Sequence, residues 1–174
     1  VAEYSWIGHA AGVYARCTDG TGEFRDLEVS TKGLRNACGN PVRINEVVTN
    51  PVDWIELVNP TGNPLDVSGI VVKDDDDEHI YTIPADTIIE ANGYFVIEAD
   101  VLGFGLGKAD SVRLFEDTDL IDSTTWGPEH PLPSWGRCVD LSGSFAITAE
   151  ATKGAPNLCV GEIVADVWPG AADV

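Results

Sequence analysis

Residues 44–60 read INEVVTNPVDWIELVNP, and the whole chain is organised around them. Ile44, Val47 and Val48 are β-branched, as a strand prefers. Asn50-Pro51 breaks the run, because the residue before a proline is pushed out of the helical region. Trp54 to Val58 then resumes, with Ile55 and Leu57 on one face and Trp54 and Glu56 on the other. The turn-rich stretch from Asn59 to Pro64 closes the unit. Two short strands around a tight connection are therefore expected at the start of an all-β domain. In the first strand, strict alternation puts Val42, Ile44, Glu46 and Val48 on one face. That would turn Glu46 into the core unless a bulge intervenes.

Outward from this unit the chain continues as short strands separated by turn residues. Expected strands are 70–73, 80–83, 87–89, 94–97, 111–115, 120–123, 134–138 and 144–149. Tyr94–Ile97 is almost wholly apolar and reads as a central strand. With about nine strands and no helical period, the pattern predicts an antiparallel β-sandwich.

The 174 residues suffice for one good core and part of a second unit. Apolar residues make up 44% of them, so the chain is globular rather than disordered. No apolar run is long enough to span a bilayer. Acids outnumber bases 29 to 10, a net charge of −19. Phosphate-mediated nucleic-acid binding and docking to an anionic membrane are both disfavoured by that balance. The chain opens on Val1 with no leader sequence, and is read as a fragment or a processed product.

Cys17 and Cys38 have the same separation as Cys138 and Cys159, and neither pair has zinc or C-x-x-C spacing. Disulfides Cys17–Cys38 and Cys138–Cys159 are the simplest reading, and they imply an oxidising, extracellular location.

The two ends also repeat. At an offset of 121 residues His9, Arg16, Cys17, Asp19, Gly22, Phe24, Thr31, Lys32, Gly33, Asn36 and Cys38 fall on identical residues, from His130 to Cys159. Tandem units produce this kind of self-similarity. Residues 1–40 are read as the C-terminal portion of a preceding module or as extra strands packed on the main domain. Residues 41–160 are read as a complete module, and 161–174 as a linker or the start of a further domain. Residues 1–38 would then pack on the neighbour or self-associate with another chain.

On these elements the chain resembles the lamin tail domain of secreted bacterial proteins. The resemblance rests on I-N-E at 44–46, W-I-E-L with Asn59, the sequence from Gly69 through the acidic run to Gly93–Ile97, Phe104–Phe115, Leu120–Ser123 with Trp126, and A-T-K-G-A-P-N at 151–157. It implies an immunoglobulin-like sandwich. It also implies a non-catalytic interaction or spacer role in a multi-domain extracellular protein, toward an unidentified protein or cell-surface ligand. The cysteine-bearing end resembles only a subset of bacterial members. Residues 159–174 faintly resemble the start of phytase-like esterase domains. The alternative reading is therefore a fragment of a secreted hydrolase, of phytase-like esterase or nuclease architecture, with a calcium-binding acidic loop.

Five groups of residues could carry chemistry or bind a ligand. Asp74, Asp75, Asp76, Asp77 and Glu78 crowd carboxylates on one turn, which suits Ca²⁺ as the one candidate ion, although the spacing is not that of an EF-hand loop. Glu46, Asp53 and Glu56 offer carboxylates for acid–base work. Equally, they could bond backbone amides or pair with Arg43 or Arg113. Gly103–Lys108 is glycine-rich but lacks the Ser or Thr that follows the lysine of a phosphate loop. His9, His79 and His130 lack the nucleophile elbow of a serine hydrolase. Trp54, Trp126 and Trp135, with Trp6 and Tyr14, are candidate surface aromatics for a glycan or peptide, against the commoner role of core packing. No catalytic residue and no resident cofactor are expected.

Overall fold

The computed structural model describes residues 13–17, 23–27, 30–33, 36 and 39–161. Cys38, His9, Trp6 and residues 162–174 lie outside these, as does the side chain of Cys17. The expected Cys17–Cys38 disulfide therefore falls outside the described residues.

Strand β1 (Val13–Cys17) pairs with β2 (Glu23–Leu27) as a two-stranded antiparallel sheet. The domain that follows contains β3 (Arg43–Val48), β4 (Trp54–Val58), β5 (Leu65–Asp66), β6 (Val71–Lys73), β7 (Tyr81–Thr82), β8 (Ile88–Ile89) and β9 (Tyr94–Glu98). A single helical turn, α1 (Ala99–Leu102), is followed by β10 (Asp110–Glu116), β11 (Asp119–Trp126), β12 (Trp135–Cys138) and β13 (Ser144–Ile147). Five strands form one sheet in the order β13-β12-β3-β4-β9, four form the other in the order β11-β10-β6-β7, and β5 pairs with β8 separately. All pairings are antiparallel.

The architecture is the all-β sandwich expected from the spacing of strands and turns. Its core lies between the two large sheets. Ile44, Val47, Ile55, Leu57 and Ile97 come from the five-stranded sheet, and Val72, Val112 and Leu114 from the other. All eight are fully buried. A buried side chain of this size contributes on the order of 2 kcal/mol through water exclusion.

Two details shape the functional site. First, the β3–β4 register slips between Ile44 and Glu46, leaving Asn45 as the extra residue of a bulge. Ile44 stays opposite Leu57, while Glu46 is brought opposite Glu56, on the face away from the core. The bulge resolves the conflict that strict alternation created at Glu46. Second, β9 is an edge strand, not a central one, because it pairs only with β4. Its apolar run reflects cover on both faces: Phe95 and Ile97 pack on the core, and Tyr94 turns outward to a hydrogen bond with Asp140.

The β12–β13 hairpin repeats the geometry of β1–β2. Cys138 opposes Ser144 and Arg137 opposes Phe145, as Cys17 opposes Glu23 and Arg16 opposes Phe24. Subtracting the offset of 121 converts one register into the other.

Candidate functional site

Glu46 and Glu56 stand side by side on the outer face of β3–β4, and neither side chain is exposed to solvent. The closing segment of the domain, residues 150–158, lies over them. Glu46 accepts hydrogen bonds from the Thr152 amide (3.0 Å), from the Thr152 hydroxyl (3.0 Å) and from the Ser134 hydroxyl. Glu56 accepts from the Gly154 amide at 2.5 Å and from Asn45 Nδ2 at 3.0 Å. A third carboxylate, Asp140, accepts from Asn45 Nδ2 (3.0 Å), the Asn157 amide (2.9 Å) and the Tyr94 hydroxyl (2.7 Å). Every donor is neutral, so these are charge-assisted bonds to backbone and hydroxyl groups rather than ion pairs.

The segment that carries these donors is itself braced. Cys138 is disulfide-bonded to Cys159, which joins the end of β12 to the end of the segment. Asn157 Nδ2 donates to the carbonyls of Asn45 (3.0 Å) and Arg137 (3.1 Å), and Thr152 Oγ1 lies 3.2 Å from Asn157 Oδ1. Gly154 sits at φ +74°, where a side chain would be strained. Arg137 donates to the Ile44 carbonyl at 2.7 Å, pairs with Asp122 at 2.9 Å and stacks 4.5 Å over Phe145. Gly136 leaves room for the segment, since a Cβ there would lie 2.8 Å from Thr148 Cγ2 and 2.9 Å from Asn157 Nδ2. The arrangement is a latch: one loop, fastened at both ends, hydrogen-bonded onto two buried glutamates.

Burial raises the pKa of both glutamates, and for Glu56 it does so from 4.5 to about 7. Hydrogen bonds from Asn45 and Gly154 oppose that rise, while the neighbouring Glu46 and Asp140 carboxylates add to it. A carboxyl whose native pKa is raised holds its proton longer when folded than when unfolded. Its stabilisation is fully present below 4.5 and is lost as pH climbs through about 7. Midpoint urea concentrations should therefore fall between pH 5 and pH 7.5 by the equivalent of about 2 kcal/mol. Glu56→Gln should flatten that slope, and an unchanged slope in the variant would refute the assignment.

The acidic run divides. Asp74, Asp75 and Asp110 bring carboxylate oxygens within 4.8 Å of one another, whereas Asp76, Asp77 and Glu78 stand outside the cluster. Asp76 accepts from the Glu78 amide, and Asp77 pairs with Lys73 and Arg113. Two of the cluster's three carboxylates already have local donors. Asp74 takes the Asp76 amide (2.8 Å) and His79 Nδ1 (2.7 Å); Asp110 takes the Gly107 and Ser111 amides (both 2.7 Å). Asp110 alongside pushes the Asp75 carboxyl above its ordinary range, and the bond to Asp74 raises His79. With Asp74 and Asp110 already engaged, millimolar calcium should leave the melting temperature unchanged. A saturable rise would establish an ion at Asp74, Asp75 and Asp110.

The remaining candidates have structural partners. Asp53 is apart from the glutamate pair and accepts from the Leu106 amide at 2.7 Å. The glycine-rich segment 103–108 has its amides at Leu106 and Gly107 taken by Asp53 and Asp110, which leaves them unavailable to a phosphate. His79 stacks 5.2 Å from Phe104, and His130 Nδ1 is 2.7 Å from the Thr49 hydroxyl. Arg43 and Arg113 bind the Ile121 and Asp74 carbonyls rather than either glutamate.

The three tryptophans mostly take the core-packing role. Trp54 is buried with Lys153 Nζ 5.2 Å over its ring, and Trp126 is buried with its indole N–H on the Gly107 carbonyl. Half-buried Trp135 bonds the Thr124 hydroxyl at 2.8 Å. Trp126 and Trp135 share the lining of an open groove with His130 and Ile147, and neither glutamate contributes to it.

The fold and the latch together define an immunoglobulin-like β-sandwich whose last segment closes over its first hairpin. A family model described as Lamin Tail Domain matches residues 36–128, more than half of the chain, and the chain belongs to that family. The match ends before β12, β13 and the latch. No curated protein matches the chain. Among the described residues no helix is long and apolar enough to cross a membrane.

Proposed function

We propose that this chain is a non-catalytic interaction or spacer module of an extracellular, multi-domain protein. The observation that carries the reading is the condition of Glu46 and Glu56. They are the carboxylate pair that the sequence offers for acid–base work, and they stand side by side. Both are sealed from solvent, and their oxygens hold the latch instead of facing a substrate cleft. A general base has to reach a substrate proton within hydrogen-bonding distance, and these two reach only the protein itself. The Cys138–Cys159 disulfide supports an oxidising compartment. The large negative charge supports solubility and disfavours polyanionic partners.

Two measurements test this. The purified chain, with and without calcium, should turn over neither nitrophenyl phosphate nor nitrophenyl acetate. Activity that disappears in Glu56→Gln would establish the hydrolase alternative. Exported through an oxidising compartment, the chain should arrive with all four cysteines resistant to alkylation. Free thiols on the exported protein would argue against an extracellular life.

A further inference from the structure

We propose that β1, β2 and the described residues Thr31, Lys32, Gly33 and Asn36 belong to a second latch, shaped to close over the paired glutamates of the first hairpin of another, preceding copy of this same domain. The proposal goes beyond the spacer reading and does not depend on it. It rests on geometry that the two ends share. Arg16 lies 4.5 Å over Phe24, as Arg137 lies 4.5 Å over Phe145. Asn36 Nδ2 donates to the Arg16 carbonyl at 3.0 Å, as Asn157 Nδ2 donates to that of Arg137 at 3.1 Å. Thr31 Oγ1 is 3.2 Å from Asn36 Oδ1, the distance found between Thr152 and Asn157. Gly33 adopts φ +82° where Gly154 adopts +74°.

These contacts are the internal bracing of a latch. In the complete domain the bracing holds out three donors, the Thr152 amide, the Thr152 hydroxyl and the Gly154 amide, to two buried carboxylates. The N-terminal copy keeps the bracing and the residue types. Yet no hydrogen bond from the Thr31 or Gly33 amide is present among the described residues, whereas the Thr152 and Gly154 amides are both bonded. A braced loop that presents two such amides is complementary to an anionic pair such as Glu46 and Glu56. One departure tests the fit: Ala15 replaces Gly136. It is buried, and Asn36 still reaches the Arg16 carbonyl beside it, so the extra methyl is accommodated.

The occupant is a preceding copy and not a second molecule of this chain. The chain's own glutamates are covered by its own latch, so a second molecule could offer them only after its own domain had opened.

The test extends the chain at its N-terminus with a duplicate of residues 39–121, the part of the domain that the 121-residue offset places ahead of Val1. The Thr31 and Gly33 amides should then exchange with solvent about 100-fold more slowly than in the unextended chain. Glu46→Gln and Glu56→Gln in the added copy should reverse that protection while the Thr152 and Gly154 amides keep theirs. If Thr31 and Gly33 remain unprotected in the extended chain, the proposal is overturned, including the case in which the added part does not fold. It is also overturned if the unextended chain dimerises and protects both amides, because the partner would then be a second molecule.

Discussion

Replacing Glu46 by alanine is expected to destabilise the domain by about 4 kcal/mol, a large share of the stability of a domain this size. Glu46 is fully buried and accepts from the Ser134 hydroxyl and from both the amide and the hydroxyl of Thr152. Alanine removes the acceptor and strands the Thr152 amide, at roughly 1–3 kcal/mol, while the Ser134 and Thr152 hydroxyls lose a carboxylate and keep only their neutral contacts to Thr148 Oγ1 and Asn157 Oδ1. The vacated volume adds a cavity term. One effect runs the other way, because deleting a buried carboxyl relieves its desolvation and the repulsion on Glu56. That relief is smaller than the loss, since three hydrogen bonds to the carboxylate go at once. Glu46→Gln, which keeps the volume and one acceptor oxygen, should lose only about half as much. It should also lower the Glu56 pKa, which Glu46 helps to raise. Urea unfolding of both variants settles the matter; an alanine variant within 1 kcal/mol of the parent would count against the latch.

Breaking the Cys138–Cys159 disulfide should be nearly as damaging. The bond closes a loop with a sequence separation of 21. Chain entropy for a loop of that length corresponds to about 3 kcal/mol, or roughly a 10 °C fall in melting temperature. Its position makes the effect local as well as global. The bond joins the end of β12 to the end of the latch segment, and Thr148 bridges to Cys159 beside it. Once reduced, residues 150–158 would be held only by hydrogen bonds and by Lys153, paired with Glu98 and seated over Trp54, and the buried glutamates would become more accessible to water. Cys138→Ala with Cys159→Ala should therefore lower the unfolding midpoint and shift the Glu56 titration back toward its ordinary range. A double variant with the parent's midpoint would contradict this account.

Much of the fold was legible because local signals agreed with one another. Asn50-Pro51 placed the break between β3 and β4, and alternation in Trp54–Val58 assigned its two faces correctly. Glu46 was the informative misfit. An acid on the core-facing register required a bulge, and the bulge is at Asn45. The run Tyr94–Ile97 misled for a physical reason: hydrophobicity reports cover, not position in a sheet. An edge strand whose outward residue bonds Asp140 has the same composition as a central strand. Tryptophan content left both roles open, since composition cannot separate a buried indole such as Trp54 from a displayed one.

The site was less legible because its members are far apart in sequence. Glu46 and Glu56 could be read as amide acceptors, but nothing near them named Thr152 and Gly154, about 100 residues away. Asp140 and Asp110 were missed for the same reason. A signal was nevertheless available. Thr31-Lys32-Gly33 and Thr152-Lys153-Gly154 recur at the repeat offset. A repeated short loop with a glycine at positive φ has more to do than connect two strands.

Hydrogen exchange at the Thr152 and Gly154 amides tests the central claim most directly. Held by buried carboxylates, both should exchange as slowly as the amides of Ile55 and Leu57 in the core strand β4, and both should accelerate together when Glu46 and Glu56 are replaced by glutamine. Exchange of the two amides at the rate of an unprotected surface loop, with β4 still protected, would show that the glutamates do not hold the closing segment.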